Sequence, residues 1–230
     1  MKKIAYILAV LIAGGCFTGC SDTVNENTGI GRLMLNAEIS PEIQVSRAII
    51  NGEEAERLSN ECLIWISNSK GLVREYKGIR SVPAEGIWLT GGQYVAEAWS
   101  GDSVPASFTE RYFKGIQKFE IKSGNVDRVS LPCVIANVGV SISYEESVDK
   151  VLKDFTLTVG HSAGSLTWTG KNENRGYFMM NSRDKDLTYL LKGINEYGEE
   201  YTQEGMLKKV KPGTEYKLRI SHQGIDTNTG

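Results

Sequence analysis

The sequence predicts an all-β protein built of sandwich domains. The chain has 25 glycines against 5 prolines, and Thr, Val, Ile and Tyr are frequent, which is typical of strands joined by turns. Apolar and polar residues alternate in about a dozen short segments, as in half-buried strands. No region shows the alternation of strands and helices that builds a parallel α/β sheet. We therefore predict two tandem β-sandwich domains, of immunoglobulin-like or transthyretin-like type.

The first 19 residues have the composition of a bacterial secretory signal. Lysines at positions 2 and 3 precede an uncharged apolar run over residues 4–13, and small residues follow it. The run is too short for a transmembrane helix, which needs about 20 residues. We predict a signal peptide over residues 1–19, so the mature protein is expected to be located outside the cytoplasm.

The end of this signal predicts a lipid anchor. Phe17-Thr18-Gly19-Cys20 resembles the cleavage box of bacterial lipoproteins, in which the cysteine becomes the acylated first residue of the mature chain. Cys16 is an alternative attachment point, but Cys20 is preferred because the polar chain begins directly after it. An ordinary cleaved signal is the other alternative. Each buried methylene contributes about 0.8 kcal/mol, so three acyl chains would anchor the protein permanently. The predicted location is the cell envelope, as an outer-membrane lipoprotein on either the surface or the periplasmic side.

Composition limits the partners of the remaining chain. The full sequence is 40% hydrophobic and 23% charged, as expected for a globular protein with a core. The net charge of −2, with signs interspersed, argues against nucleic acid, which would require a basic stripe. Cys62 and Cys133 lie in apolar segments. They predict either a disulfide or, more commonly, two buried free thiols.

A polar tether over residues 20–29 leads into the first predicted sandwich, residues 30–131. Asn68-Ser69-Lys70-Gly71 predicts a hairpin turn, and residues 51–60 form a charged loop with room for one helical turn. Strand patterns occupy residues 33–39, 62–66, 72–76, 89–99, 117–121 and 126–131.

The second predicted sandwich covers residues 132–222, with its boundary at Leu131-Pro132. It ends on a turn, a tyrosine and a strand in which apolar and polar residues alternate, and the same order of features occurs at residues 91–98. A short helix or loop is expected at 145–153, and residues 223–230 are predicted to be a polar tail without a closing strand. Strand patterns occupy residues 134–142, 155–159, 166–168, 177–180, 187–194, 206–210 and 214–221.

Residues 160–164, Gly-His-Ser-Ala-Gly, fit the G-x-S-x-G motif of serine hydrolases. Ser162, with Asp184 or Asp186 and then His222, even follows the hydrolase order. A hydrolase elbow must open a helix, whereas the residues after Gly164 favour a strand, so a hairpin turn is the preferred interpretation. A serine esterase remains a remote alternative, and we predict no catalytic residues.

Metal and cofactor sites have little support. The chain has two histidines and no pair of cysteines at ligand spacing, so no metal site is predicted. Acidic pairs such as Glu53-Glu54 lack the Asp-x-Asp spacing of a calcium loop. No glycine-rich loop precedes Lys-Ser or Lys-Thr, so no nucleotide and no other cofactor is expected.

The middle of the chain resembles a known family. Residues 112–115 (Tyr-Phe-Lys-Gly), 119–121 and 129–140, with 31–33 and 91–94, are similar to an uncharacterised lipoprotein family of Bacteroidales. That family is known as a domain of unknown function and is distantly similar to fimbrillins. The resemblance implies a signal, a lipid anchor, tandem sandwiches and surface or periplasmic display. It implies no catalytic residues.

The resemblance also suggests modification sites. Asp22-Thr23-Val24 and Asp102-Ser103-Val104 are similar to O-glycosylation sites of these bacteria, which would place sugars on Thr23 and Ser103. Fimbrillin precursors are cut after an arginine beyond their first strand, and Arg47-Ala48 lies in a comparable place. The favoured alternative is that Arg47 is an ordinary loop residue and not a cleavage site. Loss of a strand would expose an unpaired edge for strand exchange.

These observations predict a non-enzymatic, lipid-anchored lipoprotein with an adhesin-like or accessory binding role. Its partners would be the membrane, through the acylated cysteine, and glycans or other surface lipoproteins. Trp99 and Trp168 stand at strand ends and are the predicted stacking faces for sugars, whereas Trp65 is expected in the core. The alternative is a fimbrillin-like structural subunit assembled by strand exchange.

Overall fold

The structure is a computed structural model. Strands dominate the described chain, with two short helices, α1 (Gly52–Glu61) and α2 (Val148–Val151), and one 3₁₀ turn at Ile79–Ser81. The predicted all-β class is confirmed. The residues that the structure describes are 29–39, 52–146, 148–181, 185–221 and 223–229.

The described residues form sixteen strands. The first eight are β1 (Ile30–Ile39), β2 (Leu63–Asn68), β3 (Gly71–Lys77), β4 (Ile87–Thr90), β5 (Gly92–Ser100), β6 (Ala106–Ser107), β7 (Phe113–Ile121) and β8 (Val126–Ile135). The others are β9 (Val138–Tyr144), β10 (Leu152–His161), β11 (Gly164–Thr169), β12 (Gly176–Phe178), β13 (Leu187–Asn195), β14 (Glu200–Leu207), β15 (Glu215–Ser221) and β16 (Gly224–Thr229).

The first sandwich is one seven-stranded sheet, in the order β3-β2-β5-β7-β8-β1-β4, that turns back on itself at β8. Residues 126–133 of β8 pair in parallel with β1, and the last two residues of β8 pair antiparallel with β7. Leu33 and Leu89 from one side meet Ile66 and Tyr94 from the other in a single buried cluster. We call the two halves the β8-β1-β4 layer and the β3-β2-β5-β7 layer.

Period-2 alternation explains how these layers bury their apolar residues. Cys62, just before β2, and Ile64 and Ile66 within it are fully buried. The hairpin between β2 and β3 is also confirmed. The backbone N–H of Lys70 donates to Asn68 Oδ1 at 2.8 Å, and Gly71 takes φ 121°, which only glycine adopts easily.

The second sandwich packs a four-stranded sheet, β11-β10-β13-β14, on a five-stranded sheet, β16-β15-β9-β12-β6. Its core contains Leu157 from the first sheet and Val140 and Leu218 from the second, all fully buried. Trp168 and Phe178 are the largest side chains of this core.

The two sandwiches are joined by side chains that cross between them. Strand β6 comes from the first half of the chain but pairs with β12. Tyr177 of β12 is buried in the first core, and the Arg111 guanidinium lies 5.8 Å from its ring centroid. The backbone N–H of Tyr112 donates to the buried Asn137 Oδ1 at 2.6 Å. These contacts make the junction a packed interface.

Two sequence predictions about the ends of elements differ from the structure. β8 runs through the predicted boundary at Leu131-Pro132, because Pro132 keeps its place opposite Glu38 in the pairing with β1. A proline breaks a strand only where its missing N–H is needed. The limits 30–131 and 132–222 remain our proposal for the two sandwiches, with β8 continuing to Ile135.

The predicted polar tail without a closing strand was wrong, because β16 pairs with β15 over residues 224–229. Ile225 is buried and supplies an apolar anchor, and its backbone N–H donates to Gln203 Oε1 at 2.9 Å. The predicted single turn near Glu53 is the ten-residue α1, which is held to the core by the fully buried Leu58. Among the described residues, no helix is long and apolar enough to cross a membrane.

The junction can be tested at Tyr177. Replacing Tyr177 by alanine removes a buried ring from the first core, so we expect the free energy of unfolding to fall by about 3 kcal/mol. Denaturant unfolding followed by circular dichroism measures this. Tyr197→Ala is the matched control, because Tyr197 is exposed in the β13–β14 turn and should change stability by less than about 0.5 kcal/mol. Equal denaturation midpoints for the two variants would contradict the packing of Tyr177 at the junction.

Candidate functional site

The outer face of the β3-β2-β5-β7 layer carries the most prominent aromatic surface. In the strand register, Leu63 lies opposite Trp99, and Lys114 lies between Trp99 and Val134. In the next row, Trp65 and Ile116 flank Glu97. Residues directly opposite each other share one face of a sheet, so these side chains form one surface. We call it the Trp65–Trp99 face, defined by Leu63, Trp65, Trp99, Ile116 and Val134.

Two indoles form the centre of this face. The ring centroids of Trp65 and Trp99 lie 4.7 Å apart at an interplanar angle of 81°. Such edge-to-face pairs are worth about 0.5–1.5 kcal/mol beyond their buried area, so each ring holds the other in place. Trp65 is 37% exposed, and Ile116 and Val134 beyond it are also exposed. The pair therefore presents a preorganised aromatic surface to solvent.

The expectation that Trp65 fills the core was wrong. Ile64 and Ile66 are fully buried, and the period of two in β2 sends Trp65 to the opposite side. The alternation of β2 already contained this information, because it separated Trp65 from the buried residues. The neighbouring strands, which bring Ile116 and Val134 onto the same face, were not readable from β2 alone.

Charged groups cross and border the aromatic surface. Lys114 Nζ lies 3.7 Å from Glu97 Oε1, and both side chains are partly exposed. Glu75 and Lys77 of β3 lie opposite Trp65 and Leu63 in the register and are exposed. Ion pairs at such sites add little stability because water screens them. They can instead supply hydrogen-bond donors and acceptors next to the indoles, across a width of about 14 Å for four strands.

The other predicted stacking residue, Trp168, is not available. Its side chain is fully buried, its Nε1–H donates to the Asn174 carbonyl at 2.5 Å, and its ring packs edge-on against Phe108. The prediction of an exposed Trp168 was wrong, because Phe108 and the turn at Asn174 cover the end of its strand. Trp99 is half-buried but belongs to the face described above.

The G-x-S-x-G segment is a β-hairpin, as the preferred interpretation predicted. β10 ends at His161, β11 begins at Gly164, and these two residues pair across a turn of Ser162 and Ala163. The motif is followed by a strand, so it lacks the helix that a hydrolase elbow opens.

The ring of His161 is held by backbone groups on both sides. Its Nδ1 accepts from the Ala163 N–H at 3.2 Å, and its Nε2 then carries the proton that it donates to the Pro105 carbonyl at 3.2 Å. Asp186 Oδ1 accepts from the backbone N–H of Lys209. Asp184 and His222 lie outside the described residues. No triad geometry is therefore found among the described members of this motif.

The remaining predicted sites are distributed as follows. Ser103 is exposed in the loop between β5 and β6, where a sugar could be attached, and its modification stays a prediction. Cys20, Thr23, Arg47 and Ala48 lie outside the described residues, so the lipid, glycosylation and cleavage sites stay predictions. Within the described ranges, no group of three or more His, Cys, Asp or Glu residues could hold a metal ion.

A comparison of sequences assigns the family. The profile of a domain of unknown function, DUF4493, matches residues 29–230. The chain belongs to the DUF4493 family. The expected membership of a domain-of-unknown-function family is thus confirmed, and no curated protein matches the chain.

Solved structures with a similar arrangement come from Bacteroides and Porphyromonas. One is a candidate polysaccharide-binding protein from Bacteroides thetaiotaomicron, at 9% identity and a TM-score of 0.45, covering 83% of this chain and 91% of that one. A candidate cell adhesion protein from Bacteroides eggerthii has 8% identity, a TM-score of 0.47 and coverage of 88% and 90%. The fimbrial anchor protein Mfa2 from Porphyromonas gingivalis has 9% identity, a TM-score of 0.42 and coverage of 83% and 90%. No residue's role follows from likenesses at this level.

The two cysteines among the described residues of this DUF4493 chain are free thiols inside the first sandwich. Cys62 and Cys133 are both fully buried in one core cluster. The neighbouring Cys62 thiol, together with burial, raises the pKa of Cys133 above its ordinary value, whereas Cys133 lowers the pKa of Cys62. Because both side chains are fully buried, a reagent in solution does not reach either thiol in the folded protein.

Thiol labelling tests this description. In a chain with Cys16 and Cys20 replaced by serine, we expect no measurable reaction with a thiol–disulfide exchange reagent near neutral pH while the protein is folded. Unfolding in denaturant should release both thiols, and Cys62→Ala or Cys133→Ala should halve that signal. Rapid labelling of the folded protein would contradict the burial. Absence of labelling after unfolding would show a disulfide instead.

Proposed function

We propose that the protein is a non-enzymatic binding module of the bacterial cell envelope, anchored by acylation of Cys20, whose Trp65–Trp99 face binds glycans. The observation that carries the proposal is the exposed edge-to-face indole pair with Glu97 and Lys114 beside it.

The chemistry of this face suits sugars. The C–H faces of a pyranose ring stack on indole rings, and its hydroxyls require donors and acceptors at the edge of the stack. Trp65 offers an exposed ring, and the carboxylate of Glu97 and the ammonium of Lys114 lie within reach of each other at 3.7 Å. The charges on the face are mixed in sign, which favours neutral glycans over strongly anionic ones. Aromatic anchors with a polar rim are the common design of binding surfaces.

A structural-subunit role is the second candidate, and β1 is the strand that would matter for it. β1 pairs with β8 along eight residues and with β4 along four, so its removal would leave two unpaired edges and take the buried Leu33 out of the core. Unpaired edges accept a strand from a neighbouring molecule. The proposed cut between Arg47 and Ala48 follows β1 in the chain.

Glycan binding can be tested with tryptophan variants. We expect Trp65→Ala and Trp99→Ala each to weaken binding about tenfold, because losing one stacking contact costs about 1.4 kcal/mol. A glycan array followed by calorimetry on the strongest hit measures this. Trp88→Ala is the matched control, because Trp88 lies on the other layer of the same sandwich. Equal binding by wild type and Trp99→Ala would refute the assignment of this face.

The anchor is tested separately by metabolic labelling with a palmitate analogue in a Bacteroides host. We expect Cys20→Ser to lose the label and to leave the membrane fraction, because the acyl chains supply the membrane affinity. Cys16→Ser is the control and should keep both properties. The opposite pattern would move the attachment point to Cys16, and no label on the wild type would remove the anchor altogether.

A further inference from the structure

A second exposed apolar surface lies on the outer face of the β8-β1-β4 layer. In the register, Arg32 of β1 lies between Trp88 of β4 and Val126 of β8. Ile30, two residues before Arg32, projects from the same side of β1. Ile30 and Trp88 are 60% and 59% exposed, and Val126 is also exposed. We call this surface the tether-side patch, defined by Ile30, Arg32, Trp88, Val126 and Arg128.

The charges of the patch are positive. The Arg32 guanidinium lies 5.6 Å from the Trp88 ring centroid, in the geometry of a cation–π contact. Arg128 lies opposite Met34, one step further along the same face, and is exposed. Asp127, next to Val126 in β8, has a carboxylate oxygen that accepts from the Lys122 backbone N–H in the neighbouring turn. The patch thus combines exposed tryptophan and isoleucine with two arginines.

The position of the patch relative to the anchor distinguishes it from the Trp65–Trp99 face. β1 begins at Ile30, ten residues after Cys20. Ten residues reach at most about 35 Å when extended, and about 16–19 Å as a flexible coil. A chain acylated at Cys20 therefore holds the start of β1 close to the bilayer. The Trp65–Trp99 face belongs to the opposite layer, across the core that Leu33 and Ile66 share.

We propose that the tether-side patch rests on the membrane surface, with Trp88 and Ile30 at the lipid interface and Arg32 and Arg128 against anionic phosphate headgroups. This inference rests on the lipid anchor of the proposed function. Tryptophan is enriched at the interface of bilayers, and each arginine near an anionic leaflet adds electrostatic attraction. Contact through this patch would turn the opposite layer, with Trp65 and Trp99, away from the membrane and toward soluble or surface glycans.

A lipid surface is the partner that fits the tether-side patch. The tether brings the membrane near this patch, and anionic headgroups complement its positive charges. A second copy of the chain would bring the arginines of one patch against those of the other under two-fold symmetry, so like charges would face each other. A membrane carrying phosphate headgroups instead offers the complementary charge.

The experiment uses the acylated mature protein in vesicles of phosphatidylethanolamine and phosphatidylglycerol that carry brominated acyl chains, which quench nearby tryptophan. The chain has four tryptophans, so variants identify the one that is quenched. We expect Trp88→Phe to reduce the quenching about twofold or more, because the interfacial indole is removed. Trp65→Phe is the matched control and should keep the quenching of the wild type.

A second pair of variants tests the charges. Arg32→Gln combined with Arg128→Gln should lower quenching on anionic vesicles by about twofold and leave it unchanged on phosphatidylcholine vesicles. Thermal unfolding monitored by circular dichroism confirms that each variant is folded.

Three outcomes would overturn the inference. Equal quenching of wild type and Trp88→Phe would place the patch away from the lipid. Loss of quenching in Trp65→Phe would put the opposite layer on the membrane. A concentration-dependent dimer in sedimentation that Ile30→Ser abolishes would make the patch an interface between copies. Failure of the anchor itself is a different result, because mass spectrometry of the purified protein would then show no acyl chains.

Discussion

Strand β8 is the element on which the first sandwich depends. Its first eight residues complete the pairing of β1, and its last two residues pair with β7, so one continuous strand belongs to both layers. Because Leu131, Cys133 and Ile135 alternate inward along it, the same strand also lines the core between the layers. The turn that β8 makes folds a seven-stranded sheet onto itself and closes a hydrophobic core, to which α1 contributes Leu58.

This geometry creates two outer faces with different chemistry. The β3-β2-β5-β7 layer presents an indole pair crossed by a carboxylate and an ammonium. The β8-β1-β4 layer presents a tryptophan beside arginines at the start of the chain's first strand. Since the layers face each other through the core, one surface can lie on a membrane only if the other is turned away from it. The proposed lipid anchor and the proposed glycan-binding face are thus parts of one arrangement.

The junction with the second sandwich limits how freely the two units move. Tyr177 from β12 is inserted in the first core, and the backbone N–H of Tyr112 donates across the junction to the buried Asn137 Oδ1 at 2.6 Å. A buried polar group that loses its hydrogen bond is destabilising, so this contact favours one docking arrangement over others. A glycan held on the first sandwich would therefore be held in a defined orientation relative to the second.

The sequence by itself determined the class, most strands and the β2–β3 hairpin. These are local properties, because a period of two and the turn chemistry of Asn68 and Gly71 are contained in neighbouring residues. Only the tertiary structure decided which residues from distant segments share a surface. Trp65 and Ile116 are separated by about fifty residues yet lie in one row, and Trp168 is enclosed by Phe108 and the turn at Asn174. The exposure of a side chain depends on the order of the strands in the sheet and on which layer packs against its face. Strand order is set by pairings between distant segments, which alternation within a single strand does not encode.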